Sequence, residues 1–255
     1  MFVHNINPVL LKIGIIEIRY YGLIYALGFV FCLWYLLQLA KQKKVLLSED
    51  DVLDYMTYLI IGVLLGARIF EVLFYHPDYY LTNPGQIIAY WNGGLSFHGG
   101  FVGGIIATFM FIKKKKLEFY DVADAVMVPL ALGLAFGRLA NFINGELFGK
   151  IANVPWAVKF PGAEGYRHPT QLYESFKNFI IFFTLFSLRD KKTKKGFQFW
   201  LFITMYGAFR FIIENWKEPE TVWFGAPLGQ ILSAAMFVVG AYMIYRYYSR
   251  NTFKA

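Results

Sequence analysis

The sequence predicts an all-α integral membrane protein: about seven transmembrane helices, N-terminus outside, C-terminus inside, with irregular outer segments. Three observations predict this. Only 16% of the 255 residues are charged and 57% are hydrophobic, whereas a water-facing surface needs roughly 25% charged residues. Apolar runs long enough to cross a bilayer, about 20 residues each, recur along the whole chain. Lysine and arginine gather in short blocks on alternate connections between those runs, as cytoplasmic loops do under the positive-inside rule.

The runs follow in order. Residues 20–40 open on Tyr20-Tyr21-Gly22, aromatics suited to an interfacial belt. About twenty mixed residues precede this run and no small-residue cleavage pattern accompanies it, so it reads as a retained span. It holds Cys32, the one cysteine, which excludes a disulfide within the chain and reads as a lipid-facing or packing residue. The second run, 52–75, carries Arg68 and Glu71 at i and i+3, a spacing that predicts a mutual ion pair. The third, 97–112, is short and glycine-rich, as a tilted or partly re-entrant segment would be. The fourth covers 122–140. The fifth, 170–188, begins at Arg167-His168-Pro169-Thr170-Gln171-Leu172-Tyr173-Glu174. Pro169 suits a helix start with Thr170 or His168 as its cap, and Gln171 and Glu174 lie one turn apart, able to face a cavity. The sixth and seventh runs cover 197–214 and 228–246.

The connections give the orientation. Loops 41–51, 113–121 and 189–196, with Arg246, Arg250 and Lys254 of the C-terminal tail, hold 15 of the 25 lysines and arginines. The other side holds six: Lys12, Arg19, Lys150, Lys159, Arg167 and Lys217. The net charge of +8 is therefore a property of inner loops facing anionic headgroups and argues against nucleic acid as a partner. Among the outer segments, 76–96 has no lysine or arginine, and 141–169 carries the turn signals Asn-Val-Pro-Trp and Phe-Pro-Gly. Trp91, Trp156 and Trp223 suit a headgroup-level belt. With no internal repeat, low-complexity stretch or soluble segment of its own, residues 1–255 read as one membrane-embedded domain.

Three groups of residues carry chemistry. Gly137-Arg138-Leu139-Ala140-Asn141-Phe142-Ile143-Asn144-Gly145-Glu146-Leu147-Phe148-Gly149 sets polar groups at the end of an apolar span. A charge in hydrocarbon costs from about 3 to more than 10 kcal/mol, so this cluster points to a site for a polar or anionic group at the membrane boundary. Tyr206, Arg210 and Glu214, at i, i+4 and i+8, share one helix face. Either Arg210 and Glu214 form an internal ion pair that holds helices together, or Arg138 and Arg210 clamp a phosphate with their guanidinium forks. Residues 93–104 contain six glycines around His98. Gly103 and Gly104 suit close helix packing, while His98 is either a proton acceptor or an interfacial histidine. No zinc-ligand spacing, P-loop, dinucleotide fingerprint or Gly-x-Ser-x-Gly elbow is present.

Gly137 to Gly149 resembles, at every fixed position, the signature Gly-Arg-x-Gly/Ala-Asn-Phe-x-Asn-x-Glu-x-x-Gly of the prolipoprotein diacylglyceryl transferase family. Tyr21-Gly22, Gly66-Ala67-Arg68, Ser96-Phe97-His98-Gly99-Gly100, His168 to Glu174 and Tyr206 to Arg210 with Glu214 match in family order across nearly the whole chain. The resemblance implies a seven-span enzyme of the bacterial inner (cytoplasmic) membrane, its active site toward the periplasmic side. It implies transfer of the diacylglyceryl group of phosphatidylglycerol to the lipobox cysteine of a preprolipoprotein signal peptide. A thioether forms and glycerol 1-phosphate leaves, with no metal or organic cofactor. Arg138 and Arg210 match the family's essential arginines and His98 its proposed base. Tyr21, Asn141, Glu146, Gly149, Tyr206 and Glu214 match other functional positions. Three departures stand out: Phe101 follows His-Gly-Gly, Glu71 replaces an uncharged residue, and Lys217-Glu218-Pro219-Glu220 stands where relatives have Arg-x-Pro-Asp. A transporter of an anionic amphiphile, or another lipid-headgroup enzyme, would use the same arginines. The first commonly shows repeated halves and the metal-dependent form of the second needs clustered acids; neither feature is present in the sequence.

Overall fold

The computed structural model describes residues 2–14, 16–219, 221–223 and 225–249; Glu220, Arg250 and Lys254 lie outside them. The chain is mostly helical. Long helices stand on each of the apolar runs: α1 (Tyr20–Lys41), α2 (Glu49–Phe70), α4 (Phe97–Lys115), α5 (Phe119–Asn144), α6 (Thr170–Leu188), α7 (Phe197–Ile213) and α8 (Leu228–Ser249). A short α3 (Pro77–Thr82) lies between α2 and α4. Among the described residues, four are long and apolar enough to cross a membrane: α1, α2 extended to Tyr75, α5 and α8. The other three are shorter or more polar. The apolar stretch of α7 is 17 residues, α4 ends in lysines, and α6 opens on a polar face of Thr170, Gln171, Glu174, Ser175, Lys177 and Asn178, all buried.

The described chain forms two compact units, Leu33–Val122 and Met1–Cys32 with Ala123–Ala255. In the first, Ser48 starts α2 with a reciprocal cap: its Oγ accepts from Asp51 N at 3.1 Å, and Asp51 Oδ2 accepts from Ser48 N at 3.0 Å. A glycine seam then joins α2 to α4. A Cβ on Gly66 would come 2.8 Å from Gly103 Cα, and one on Gly62 would come 2.6 Å from Ala107 Cβ. Backbones this close exclude any side chain. The third run, expected to be tilted or partly re-entrant, is one continuous helix of 19 residues, and its glycine density serves helix contact.

In the second unit, Ser175 of α6 donates to the Ala135 carbonyl of α5 at 2.9 Å, beside the fully buried Val128 and Ala131. Gly207 sets the spacing of α7 on α8, since a Cβ there would meet Ser233 O and Phe237 N at 2.7 Å. Asp124 caps α7 by accepting from Gly196 N at 2.6 Å and Phe199 N at 2.8 Å. Among the described residues, three two-stranded sheets make this unit less than wholly helical. They are β1 (Phe2–Val3) parallel with β4 (Val158–Lys159), β2 (Val9–Ile13) antiparallel with β3 (Ile16–Arg19), and β5 (Val222–Trp223) antiparallel with β6 (Ala226–Pro227). Lys12 and Glu17 face each other across β2 and β3 in a 3.0 Å ion pair. Trp91, Trp156 and Trp223 are all exposed, whereas Cys32 is buried and packs.

Candidate active site

The α5–α6 contact at Ala135 and Ser175 has a chemical consequence. One turn beyond Ala135 comes Arg138, and one residue before Ser175 comes Glu174, so the two helices bring these charges together. Glu174 is 1% exposed and is the centre of the cluster. Its Oε1 accepts from Arg210 Nη1. Its Oε2 lies 3.0 Å from Lys177 Nζ and 3.9 Å from Arg138 Nε. Arg210 turns its Nε to Glu214 Oε2 at 3.0 Å, so the face shared by Tyr206, Arg210 and Glu214 forms as their spacing requires. Tyr206 contributes its ring, with Lys177 Nζ 3.4 Å from the centroid. Gly229 is packed against the Glu214 carboxylate and has no room for a side chain.

Lys217 adds its charge to the same field. Burial, and then the Arg210 guanidinium, push its ammonium down to about 8. Four basic groups thus act around two buried carboxylates. A buried charge needs compensation, and the carboxylates supply only part of it. The Arg138 and Arg210 side chains keep 20% and 18% exposure. The arrangement suits an added anion that approaches these partly exposed arginines.

The signature segment folds back under this cluster. Gly145, at φ +70°, ends α5, and Leu147 takes the left-handed region at φ +59°. Glu146 Oε1 accepts from Asn141 Nδ2 at 2.7 Å and Asn144 Nδ2 at 3.3 Å. Its main-chain carbonyl accepts from Gln171 Nε2 at 2.5 Å. Gly149 lies at a crossing of three strands of chain: its N–H donates to His168 O at 2.9 Å. A Cβ there would stand 2.6 Å from Thr170 Cγ2 and 3.1 Å from His168 Cβ, so only glycine fits. Lys150 N donates to Trp216 O at 2.9 Å, which ties this crossing to the end of α7. Neither Thr170 nor His168 caps α6: Thr170 Oγ1 donates to Leu147 O at 3.1 Å and His168 Nδ1 meets Tyr173 OH at 3.1 Å. These side chains fix the loop instead. Burial also lowers the His168 imidazole from its ordinary value. Tyr21, on α1, pairs with Tyr25 through hydroxyls 3.0 Å apart.

His98 belongs to the other unit, in the first turn of α4 behind the Ser96 cap. It is exposed, and its Nδ1 lies 2.9 Å from Tyr75 OH, which leaves Nε2 clear of that contact. The Arg68–Glu71 ion pair expected from helical spacing does not form among the described residues. Arg68, 3% exposed, donates all five N–H bonds to carbonyls: Nε to Ile87 at 2.8 Å, Nη1 to Gly93 at 2.6 Å and Gly94 at 2.7 Å, Nη2 to Gln86 at 2.6 Å and Ala89 at 2.9 Å. Glu71 accepts instead from His76 Nδ1 at 2.8 Å, closing the π-helical turn Glu71–Tyr75.

Arg138, Tyr206, Arg210 and Glu214 thus meet around Glu174. Asn141 and Glu146 pair close by, Gly149 closes the crossing, Tyr21 lies near enough to interact with the charges of Glu146 and Arg138, and His98 belongs to the other unit. Lys177 escaped the sequence reading as a site residue, and Glu174 entered it only as a residue able to face a cavity. Their i, i+3 spacing inside a run of phenylalanine and isoleucine was the available signal.

Comparison with known proteins completes the picture. Residues 8–246 match the family described as prolipoprotein diacylglyceryl transferase. Proteins named phosphatidylglycerol–prolipoprotein diacylglyceryl transferase from three bacteria are similar along their length. That of Geobacter sulfurreducens is 41% identical over 245 residues, 94% of either chain. That of Rickettsia rickettsii is 38% identical over 249 residues, covering 94% of this chain and 96% of the relative. That of Shewanella oneidensis is 41% identical over 257 residues, covering 95% and 96%. Matched at this identity over nearly its whole length, the chain belongs to the prolipoprotein diacylglyceryl transferase family.

Proposed function

We propose that this chain transfers the diacylglyceryl group of phosphatidylglycerol to the lipobox cysteine of a preprolipoprotein, the first step of lipoprotein maturation. The observation that carries the reading is the pair of arginines, from α5 and α7, that both lie within ion-pair distance of the buried Glu174 carboxylate while their side chains stay partly exposed. The thiolate attacks the glycerol carbon: a C–S bond forms, the C–O bond to phosphate breaks, and glycerol 1-phosphate leaves with the electron pair. Negative charge grows on the departing phosphate, so arginines aimed at it favour the transition state over the ground state. The thiol must lose its proton first, because free cysteine is mostly protonated at neutral pH. His98 is the base in this scheme. Its Nδ1–H donates to the Tyr75 hydroxyl and its Nε2 takes the thiol proton. Tyr21, Asn141, Glu146, Tyr206 and Glu214 shape the site for the lipid headgroup, with Gly149 holding the loop. The scheme draws on no metal or organic cofactor.

The same reading gives the chain seven spans in the inner membrane, N-terminus outside, C-terminus inside and active site toward the periplasm. The lysine-rich connections support it. Reporters fused after Lys44, Lys116 or Lys195 should be cytoplasmic and one within 76–96 periplasmic; an external Lys113 to Lys116 would overturn it. The activity is tested with phosphatidylglycerol labelled in its acyl chains and a lipobox peptide. The peptide should acquire the label, and a cysteine-to-serine peptide should not. Purified protein that moves the label across vesicles without peptide labelling would make it a transporter instead.

A further inference from the structure

We propose that Lys177 is a positioning residue that keeps Arg138 free for the lipid headgroup by occupying the second oxygen of Glu174; this rests on the transferase reading above. Lys177 is 2% exposed in a run of α6 that is otherwise rich in phenylalanine and isoleucine. A lysine there carries a heavy desolvation cost unless it is paired, and its surroundings supply two partners. Its Nζ is 3.0 Å from Glu174 Oε2, a close ion pair without hydrogen-bond geometry, and 3.4 Å above the centre of the Tyr206 ring. With 2% exposure it has no path to a substrate atom.

The contact determines what happens to Arg138. Glu174 has two oxygens, and Arg210 holds Oε1. If Oε2 were open, Arg138 would be placed to fill it, since its Nε already lies 3.9 Å away and Arg210 is engaged by Oε1. That distance exceeds a hydrogen bond. With Lys177 seated on Oε2, Arg138 stays at this remove and its guanidinium keeps its partial exposure. Lys177 also raises the positive charge of the cluster, which an anionic headgroup then offsets. Removing Lys177 therefore acts twice on the same quantity: it draws Arg138 inward and leaves a less positive site.

The test uses full-length protein in phosphatidylcholine nanodiscs, with two readouts: equilibrium binding of a fluorescent phosphatidylglycerol, and transfer from phosphatidylglycerol to a lipobox peptide. Lys177→Met retains the stem over Tyr206 and removes the charge. It should weaken binding and raise KM by roughly 10- to 100-fold, the scale of one charge-assisted contact, with kcat within a few-fold of wild type. Lys177→Arg, which can still hold Glu174 Oε2, should restore most of the affinity. Lys177→Gln provides the same readout if the methionine variant does not fold. Unchanged binding and KM in Lys177→Met or Lys177→Gln, or a fall in kcat alone, would overturn the positioning role while leaving the transferase reading intact. Wild-type protein that binds the lipid without labelling the peptide would overturn the transferase reading, and the binding arm would still decide Lys177. Wild-type protein that does neither overturns both.

Discussion

Arg68 and the Arg138–Arg210 pair look alike in sequence, each an arginine in an apolar helix, yet the structure gives them opposite duties. Arg68 in the α2–α4 unit is saturated. Its five donors meet five carbonyls, and its guanidinium lies 5.2 Å from the ring centres of both Tyr80 and Tyr90. It has no donor left for a ligand and acts as the pin of loop 86–94. Arg138 and Arg210 face carboxylates instead of carbonyls, and their side chains stay partly exposed. An arginine with every donor filled is structural; one held by an incomplete set of partners is available for binding.

The largest effect should come from breaking the pin. Arg68→Met leaves the Ile87, Gly93 and Gly94 carbonyls without this donor, while Gln86 O and Ala89 O keep backbone donors; at about 1 kcal/mol or more for each of the three the protein should lose about 3 kcal/mol of stability. Thermal unfolding in detergent measures this; a midpoint within a degree or two of wild type would show the loop is held by other contacts. The second prediction asks whether this unit is only a scaffold. His98→Gln should lower transfer at neutral pH by about 100- to 10,000-fold if His98 is the base. Raising the pH ionises the peptide thiol directly and should partly rescue the variant relative to wild type. Full activity at neutral pH would remove His98 from the chemistry, and a dead variant without pH rescue would make it an orienting residue.

Tyr75→Phe sharpens the same point at smaller scale. It removes the partner of Nδ1 and should reduce kcat by about tenfold, one hydrogen bond's worth, with KM little changed. A KM effect alone would place Tyr75 in lipid binding. The smallest predicted effect belongs to Lys217. It loses its proton as pH rises through about 8, so phosphatidylglycerol affinity should fall a few-fold between pH 7 and pH 9.5. Lys217→Arg should flatten that step. Stability should move the other way. The depressed value means that the unfolded chain holds this proton more tightly, so unfolding becomes harder as pH rises from about 8 towards the 10.5 of a free lysine. Affinity that stays flat in wild type would remove Lys217 from the headgroup field.

Much of the helical plan was legible because a bilayer demands long apolar runs, and composition records them directly. The Tyr206–Arg210–Glu214 face was legible for a similar reason: helical spacing fixes neighbours within one helix. The same rule misled at Arg68. Its partners lie 18 to 26 residues away, and helical periodicity says nothing about a loop that folds back onto a helix. Glu174 was visible only as a residue one turn from Gln171. That it is the centre of the cluster depends on α5 and α7 meeting α6, which sequence spacing does not encode. The short strands were hidden for a related reason, since β1 finds its partner β4 more than 150 residues later.

The comparison between the two kinds of arginine is tested most directly by Arg68→Lys, Arg138→Lys and Arg210→Lys in one assay. Each keeps a charge and loses the planar fork. The quantity to measure is the rate of transfer from labelled phosphatidylglycerol to a lipobox peptide, per folded molecule, beside the thermal midpoint. Arg138→Lys and Arg210→Lys should lose about tenfold or more in rate with midpoints near wild type, whereas Arg68→Lys should lose stability and keep its rate. Wild-type rates in Arg138→Lys and Arg210→Lys, or a loss of rate confined to Arg68→Lys, would contradict the assignment of the headgroup to the Arg138–Arg210 pair.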